Sequence, residues 1–427
     1  MDKQLIQTDN LEPRSAPLGP APVETERAVV HLATVLRILM YTGLAIIILG
    51  TVLGLVRDGR LPTPVVSFGD LPGQLAGFET GAILSLGVLI FLFSPTVSLA
   101  YLTVSFLRAR DRLYTLIAGA VLLILIGSIV VAWFSGATEA SSKPDLTITR
   151  DVVVFVVAMV GGILGSMLGL GGGVFITPVL TGFVGIPIKI AIAASAVSVI
   201  VNSIGGSSIY LKHKMTNVHL AMYMELTTTL GAIAGGFVVV YIAGNLLRII
   251  FGLALLAMGI TMLRRQQQQA PVTTGPDQLR LEQVFHDPAG NEDVFYIPQH
   301  TYAGAAASSV AGVISGMLGI GGGAVKVPIM NALMRVPVKA SAATSVLMVG
   351  ITVSASAFIY YLHDLIDLSV AIPAMLGVLA GSQAGARLSR RLKSVTLVRV
   401  LVAILIYLAL NLLLQAAGIH LPGTSSK

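Results

Sequence analysis

The chain has 427 residues, 55% of them hydrophobic and only 11% charged, against the ~25% charged residues of soluble domains. Several apolar runs exceed the roughly 18 residues that mark a spanning helix, so a water-soluble fold is excluded. There is no cysteine, which rules out disulfides, thiol catalysis and iron–sulfur clusters, and the net charge of +7 is read by where Lys and Arg sit relative to a bilayer, not as a nucleic-acid footprint.

In chain order, residues 1–36 carry Pro13, Pro17, Pro20 and Pro22 among polar residues and read as a cytoplasmic tail that ends in a short helix over 24–37. A polar, Pro-rich start ahead of the first apolar run is the wrong order for a cleavable signal peptide. Residues 37–135 form a three-span membrane unit, with spans near 38–56, 80–107 and 113–134. Ser94-Pro95 predicts a kink in the second span, and Trp133 sits at the end of the third, where an aromatic anchor belongs. No ionisable residue falls in mid-span in this unit, which assigns it a structural or regulatory role. The polar stretch from Gly136 to Arg150 is the best domain boundary.

Residues 150–263 and 301–418 read as two repeats, separated by a polar insert at 264–300 that can fold as a hairpin around Pro288-Ala289-Gly290-Asn291. The duplication is explicit. Gly169-Leu170-Gly171-Gly172-Gly173 returns as Gly319-Ile320-Gly321-Gly322-Gly323, an offset of 150 residues. The same offset matches Pro187 with Pro337, Lys189 with Lys339, Ser195 with Ser345, Tyr210 with Tyr360 and His213 with His363. Each repeat holds an apolar segment before the glycines, a short segment after them and three longer helices.

Four glycines in five residues break or sharply bend a helix. In lipid, broken backbone survives only where protein or a water-filled cavity satisfies it. Paired breaks at corresponding positions of two halves point to a transporter's substrate site; the alternative reading is close helix packing by small residues. If each broken pair enters and leaves on one side, the five segments of each repeat leave an odd count, and the copies are inverted. With the N-terminus inside, nineteen Lys and Arg fall inside and seven outside, with Lys326 within the membrane; this asymmetry satisfies the positive-inside rule. The predicted fold is therefore all-α and polytopic, an inverted internal repeat with glycine-broken, re-entrant or discontinuous helices.

The site expectations follow. The backbone at Gly171, Gly172, Gly173, Gly321, Gly322 and Gly323 offers free N–H groups at half-helix starts, each the positive end of a helix dipole. Ser195, Asn202, Thr344 and Ser345 line the following helices, with Ser198, Ser203, Thr352 and Ser354 nearby, and can donate to oxygens without adding charge; for each hydroxyl a bond to its own helix is the competing reading. Together these suit a small oxyanion. Lys326 supplies a cation on one half only, since its partner by the offset is Ile176. It either reaches the substrate or snorkels to the inner surface. Glu225, several residues into a span, is the proton-coupling candidate, unless it lies near the interface and pairs with Lys212, Lys214 or a headgroup.

The paired glycine motifs, the following Pro178 and Pro328, and the turns Pro187-Ile188-Lys189 and Pro337-Val338-Lys339 resemble the TauE/SafE family of sulfite exporter-type permeases over about 152–418. The resemblance implies transport of sulfite, thiosulfate or small organosulfonates, and an exporter. The leading three-span unit and the insert are additions to the minimal family pattern; the leading unit resembles an uncharacterised three-span membrane family. An enzyme is not expected, because the seven histidines fall in tails, loops or span ends, no intramembrane metal spacing exists, and the glycine motifs lack the Gly-Lys-Ser/Thr of a nucleotide loop. No cofactor, metal or nucleic acid is expected. The partners are the anion, the lipid bilayer, protons and, as an open alternative, further copies of the chain. The location is the cell membrane, with the N-terminus and the insert cytoplasmic. The other readings are an anion-binding membrane sensor or scaffold, or an anion channel.

Overall fold

The computed structural model describes residues 23–57, 59, 65–134, 148–264, 279–287, 292–389 and 394–418. Among them, nine helices are long and apolar enough to cross a membrane, and the protein is a polytopic all-α membrane protein. Helix α1 (Val23–Arg57) runs unbroken for 35 residues. The short helix expected before Arg37 and the first span join because no Gly or Pro lies between Val23 and Thr42. The short α2 (Leu71–Ala76) precedes α3 (Thr80–Arg108), which continues across Pro95, and α4 (Arg112–Phe134) completes the leading unit. Small residues set its spacing. A Cβ on Gly43 would lie 2.7 Å from Phe91, and one on Gly87 2.6 Å from Ile47, so α1 and α3 approach closely, as helices do in lipid where no hydrophobic force drives them together.

The first glycine-broken set is α5 (Ile148–Leu168), α6 (Gly173–Val179) with a π-helical turn over Leu180–Val184, α7 (Ile188–Lys212), α8 (Val218–Tyr241) and α9 (Gly244–Arg264). The second is α10 (Thr301–Leu318), α11 (Gly323–Pro328) with a π-helical turn over Ile329–Leu333, α12 (Val338–Leu362), α13 (Leu368–Ser389) and α14 (Ser394–Ala416). Helices α7, α8 and α9 start at 188, 218 and 244, and α12, α13 and α14 start 150 residues later.

The two sets interlock. Helix α5 lies along α13, and α10 lies along α8, so the first helix of each set packs on the fourth segment of the other. Glycines at four-residue spacing make this possible. A Cβ on Gly377, Gly381 or Gly385 of α13 would overlap the carbonyls of Phe155, Met159 and Ile163; one on Gly231 or Gly235 of α8 would overlap those of Ser309 and Val313. Helices α7 and α12 pair with each other at the centre, and α9 pairs with α14.

Between the sets, β1 (Gln283–Asp287) and β2 (Glu292–Tyr296) form an antiparallel hairpin with Phe285 opposite Val294. The expected hairpin is present; the turn residues proposed for it, 288–291, lie outside the described residues. The hairpin docks on both sets. Gln283 donates to the carbonyls of Lys214 and Thr216, Asn217 donates to the Leu281 carbonyl at 2.8 Å, and Lys339 pairs with Asp287 at 2.6 Å. Burial pushes the Tyr296 phenol above its ordinary pKa, against the opposing hydrogen bond from Asn217, and it donates to Gln283 Oε1 at 2.8 Å. The leading unit also touches the core: Ser354 donates to the Leu92 carbonyl, Tyr361 to that of Val66, and Tyr114 meets His219 edge-on with centroids 4.3 Å apart.

Candidate substrate site at the paired glycine breaks

The breaks form because φ is positive at Gly169, Gly171 and Gly172 (+74°, +81°, +84°) and again at Gly319, Gly321 and Gly322 (+62°, +80°, +67°), a region closed to most side chains. The chain then reverses. A Cβ on Gly161 would lie 3.2 Å from Ile176, and one on Gly165 would overlap the backbone of Gly172, so α6 folds back along α5. In the second set Gly304 faces Met334 and Gly322 faces Ser315, 3.1 Å from its Cβ, so the segment from α11 folds back along α10.

The two breaks meet at the middle of the molecule. A Cβ on Gly173 would lie 2.6 Å from the Gly319 carbonyl oxygen, and one on Gly323 would overlap that of Gly169. Val199 of α7 and Val349 of α12 both cover Gly171 and Gly321. The hydrogen bonds repeat at the 150-residue offset. Ser195 donates to the Gly319 carbonyl at 3.1 Å, and Ser345 to that of Gly169 at 2.7 Å; Tyr210 donates to Ser166 and Tyr360 to Gly316. Along α7 and α12 the partners run in opposite directions, from Val199 beside Val349 to Ser203 on Val346, and Thr216, in the turn after α7, continues the run on Ala343.

The glycines, Ser195 and Ser345 are thus brought together, and in this conformation each break is the other's contact; the Gly171 N–H, expected to be free, instead donates to the Gly165 carbonyl at 3.3 Å, as the end of α5 closes on itself. Thr344 is not part of this group. Its hydroxyl accepts from the backbone N–H of Asn217 at 2.9 Å, beside the docked hairpin. Ser198 donates to its own helix at Ala194.

Lys326 and Glu225 form a pair that neither expectation contained. Both side chains are fully buried, with Lys326 Nζ 3.3 Å from Glu225 Oε2. The ammonium also donates to Thr352 Oγ1 at 2.5 Å, and that hydroxyl donates on to Glu225 Oε1 at 2.5 Å. Thr229 gives Oε1 a further bond at 3.0 Å. The snorkelling alternative for Lys326 is therefore corrected: its side chain leans into the core, where a counter-ion offsets the ~2.5–3.5 kcal/mol that a lysine costs at mid-membrane. The interfacial alternative for Glu225 is corrected for the same reason, because its partner is Lys326 and not Lys212, Lys214 or a headgroup. The pair joins α8 of one set to α11 of the other.

Asn202 stands apart. It is fully buried, and neither Nδ2 nor Oδ1 meets a hydrogen-bond partner among the described residues. The Thr177 hydroxyl on α6 shares that condition.

Two signals in the sequence point to these contacts. Opposite charges at 225 and 326, each inside an apolar segment, call for one another. The glycine series Gly231-x3-Gly235 and Gly377-x3-Gly381-x3-Gly385 mark close-packing faces.

The sulfite exporter TauE/SafE family matches residues 154–412, which spans both glycine breaks and the buried pair. The chain belongs to the sulfite exporter TauE/SafE family. Residues 32–130 match a second family, a protein of unknown function (DUF1634), which coincides with the leading helices. The chain is 24% identical over 271 residues to the probable membrane transporter protein YunE of Bacillus subtilis, covering 62% of this chain and 97% of that protein. It is 31% identical over 235 residues to a probable membrane transporter protein of Xylella fastidiosa strain 9a5c, covering 54% of this chain and 83% of that protein. A Methanocaldococcus jannaschii protein, also described as a probable membrane transporter, is 26% identical over 255 residues. No solved structure matches the chain. In this TauE/SafE member the glycine breaks, the buried ion pair and the family match fall in the same helices, and it is a membrane-embedded protein of a transporter family.

Proposed function

We propose that this protein exports small sulfur-containing anions, such as sulfite, thiosulfate or an organosulfonate, across the cell membrane in exchange with, or together with, protons. The observation that carries the reading is the buried Lys326–Thr352–Glu225 relay beside the second break. A fully buried ammonium held by one carboxylate is a ready site for a competing anion. When a proton neutralises the Glu225 carboxylate, Lys326 loses its counter-ion and can take the oxyanion; when the proton leaves, Glu225 reclaims Lys326 and the anion is released. The free N–H groups at the half-helix starts support the same charge. Because the pair ties α8 to α11, anion binding and the relative position of the two sets are coupled.

The antiparallel run of α7 and α12 and the cross-packing of α5 and α10 support an inverted repeat, and the Lys and Arg asymmetry supports a cytoplasmic N-terminus and insert. In the cysteine-free chain, single cysteines at Asn291 and Ser425, both outside the described residues, should label from opposite sides of the membrane. So should the exposed positions Glu292 and Gly69. Labelling from one side would remove the inverted topology. For function, purified protein in sealed vesicles should take up labelled sulfite, thiosulfate or sulfoacetate, and a pH gradient should drive the uptake above equilibrium. Binding without flux would leave a sensor, and flux that never runs uphill would leave a channel.

A further inference from the structure

The two sets share their helix starts and two pairs of hydrogen bonds at the breaks, yet their buried polar groups differ. At the 150-residue offset, Lys326 corresponds to Ile176, Glu225 to Met375 and Thr352 to Asn202. In the second half-site every polar atom of the trio is paired. In the first, both polar atoms of Asn202 are unpartnered among the described residues, and so is the Thr177 hydroxyl of α6, which packs on α7. Thr177 could rotate to bond its own helix. An amide has no such retreat, since it carries two donors and an acceptor on one short stem, and buried groups of this kind ordinarily have partners. Asn202 lies one turn beyond Val199, the residue that covers both breaks. Because α7 and α12 run in opposite directions, it lies across the breaks from Thr352.

We propose that Asn202 forms a second, uncharged position for the transported anion, on the other side of the glycine breaks from Lys326, and that this position takes the anion in its protonated form; the inference rests on the transport reading above. Two features select a hydrogen-oxyanion such as hydrogen sulfite. The amide N–H needs an acceptor and the amide carbonyl needs a donor. A fully deprotonated oxyanion offers acceptors alone and would set lone pairs against Oδ1, whereas hydrogen sulfite offers an S–O⁻ to the N–H and an O–H to the carbonyl. The position also lacks a cation. Glu225 from α8 and Lys326 from α11 are the buried charged groups at the breaks; α3, α5, α6, α7, α9, α12 and α13 place no Asp, Glu, Lys, Arg or His among the buried residues described, and α1, which also packs on α7, carries the half-buried Arg37. A monoanion is therefore held there at less desolvation cost than a dianion. An anion entering at Asn202 meets Lys326 only after passing the breaks.

The test is equilibrium binding of sulfite to the full-length purified protein on the acid and alkaline sides of neutrality, with methanesulfonate as a permanent monoanion that has no donor. Methanesulfonate reports any effect of Glu225 and Lys326 titration. In the native chain sulfite affinity should track the hydrogen sulfite fraction more steeply than any change with methanesulfonate. Asn202→Leu should weaken sulfite binding about tenfold and flatten that dependence, the effect of losing one buried hydrogen-bonding group, while methanesulfonate changes little. Its melting temperature should hold or rise, because an unpaired buried amide is gone; this separates lost binding from misfolding. Asn202→Thr, which restores a group that both donates and accepts, should recover part of the preference. Unchanged sulfite binding in Asn202→Leu, or tighter binding of the dianion by the native chain, overturns the inference. Loss of sulfite binding in Asn202→Leu with no flux in the native protein supports it and overturns the transport reading instead.

Discussion

Glu225→Gln should destabilise the protein by about 3–5 kcal/mol, the cost of leaving one member of a buried ion pair without its partner. The uncompensated charge would be the Lys326 ammonium, left with the neutral amide oxygen of the new Gln and with Thr352 as polar contacts. Lys326→Met should cost less, because the Glu225 carboxyl keeps its bonds from Thr352 and Thr229. Combining the two should return much of the lost stability, since a neutral pair of similar volume replaces the ions, and exchanges of this kind are often neutral or better. Transport should not follow stability. Lys326→Met and the double variant should lose anion affinity, while Glu225→Gln, with its cation permanently available, should bind the anion as well as or better than the native chain and no longer respond to a proton gradient. Thermal unfolding and vesicle uptake measured on all four proteins decide the matter. A double variant that transports with native affinity and native pH-gradient dependence would show the pair to be structural alone.

Gly172→Leu and Gly322→Leu should insert in the membrane and carry no anion. Both glycines sit at positive φ, +84° and +67°, where a branched side chain costs about 1–3 kcal/mol in backbone strain. Neither has room: a Cβ would lie 2.9 Å from the Gly161 carbonyl oxygen in the first case and 3.1 Å from that of Ala311 in the second. Because the neighbouring Gly173 and Gly323 touch the opposite break, any shift to relieve the crowding pushes the two sets apart. Gly127→Ala on α4 is the control. Open space surrounds that position, and alanine is the better helix former by about 1 kcal/mol, so stability and transport should hold. Near-normal uptake by both leucine variants would reduce the glycine breaks to packing devices.

The sequence by itself determined which segments span and where they break, and it did so for local reasons. Apolar length marks a span, and glycine density marks a break wherever in the fold the segment lies. The helix starts at 188, 218 and 244 and their counterparts at the 150-residue offset follow from the duplication read in residues 169–173 and 319–323. Even the hairpin in the insert was legible as a possibility from the turn residues Pro288-Ala289-Gly290-Asn291. What only the tertiary structure decided is which polar groups meet. Ser195 and Ser345 spend their hydroxyls on the opposite break, and Thr344 faces the hairpin side. Ser195 and Gly319 come from different sets, so no pattern within one helix connects them. Glu225 and Lys326 are 101 residues apart, and pattern alone does not join them, because periodicity places a residue on a face of its own helix and leaves the neighbour of that face unspecified. That neighbour is set by the glycine-spaced packing of α8 on α10 and of α5 on α13, where backbone-to-backbone approach brings the half-helices inward and encloses one lysine with one glutamate.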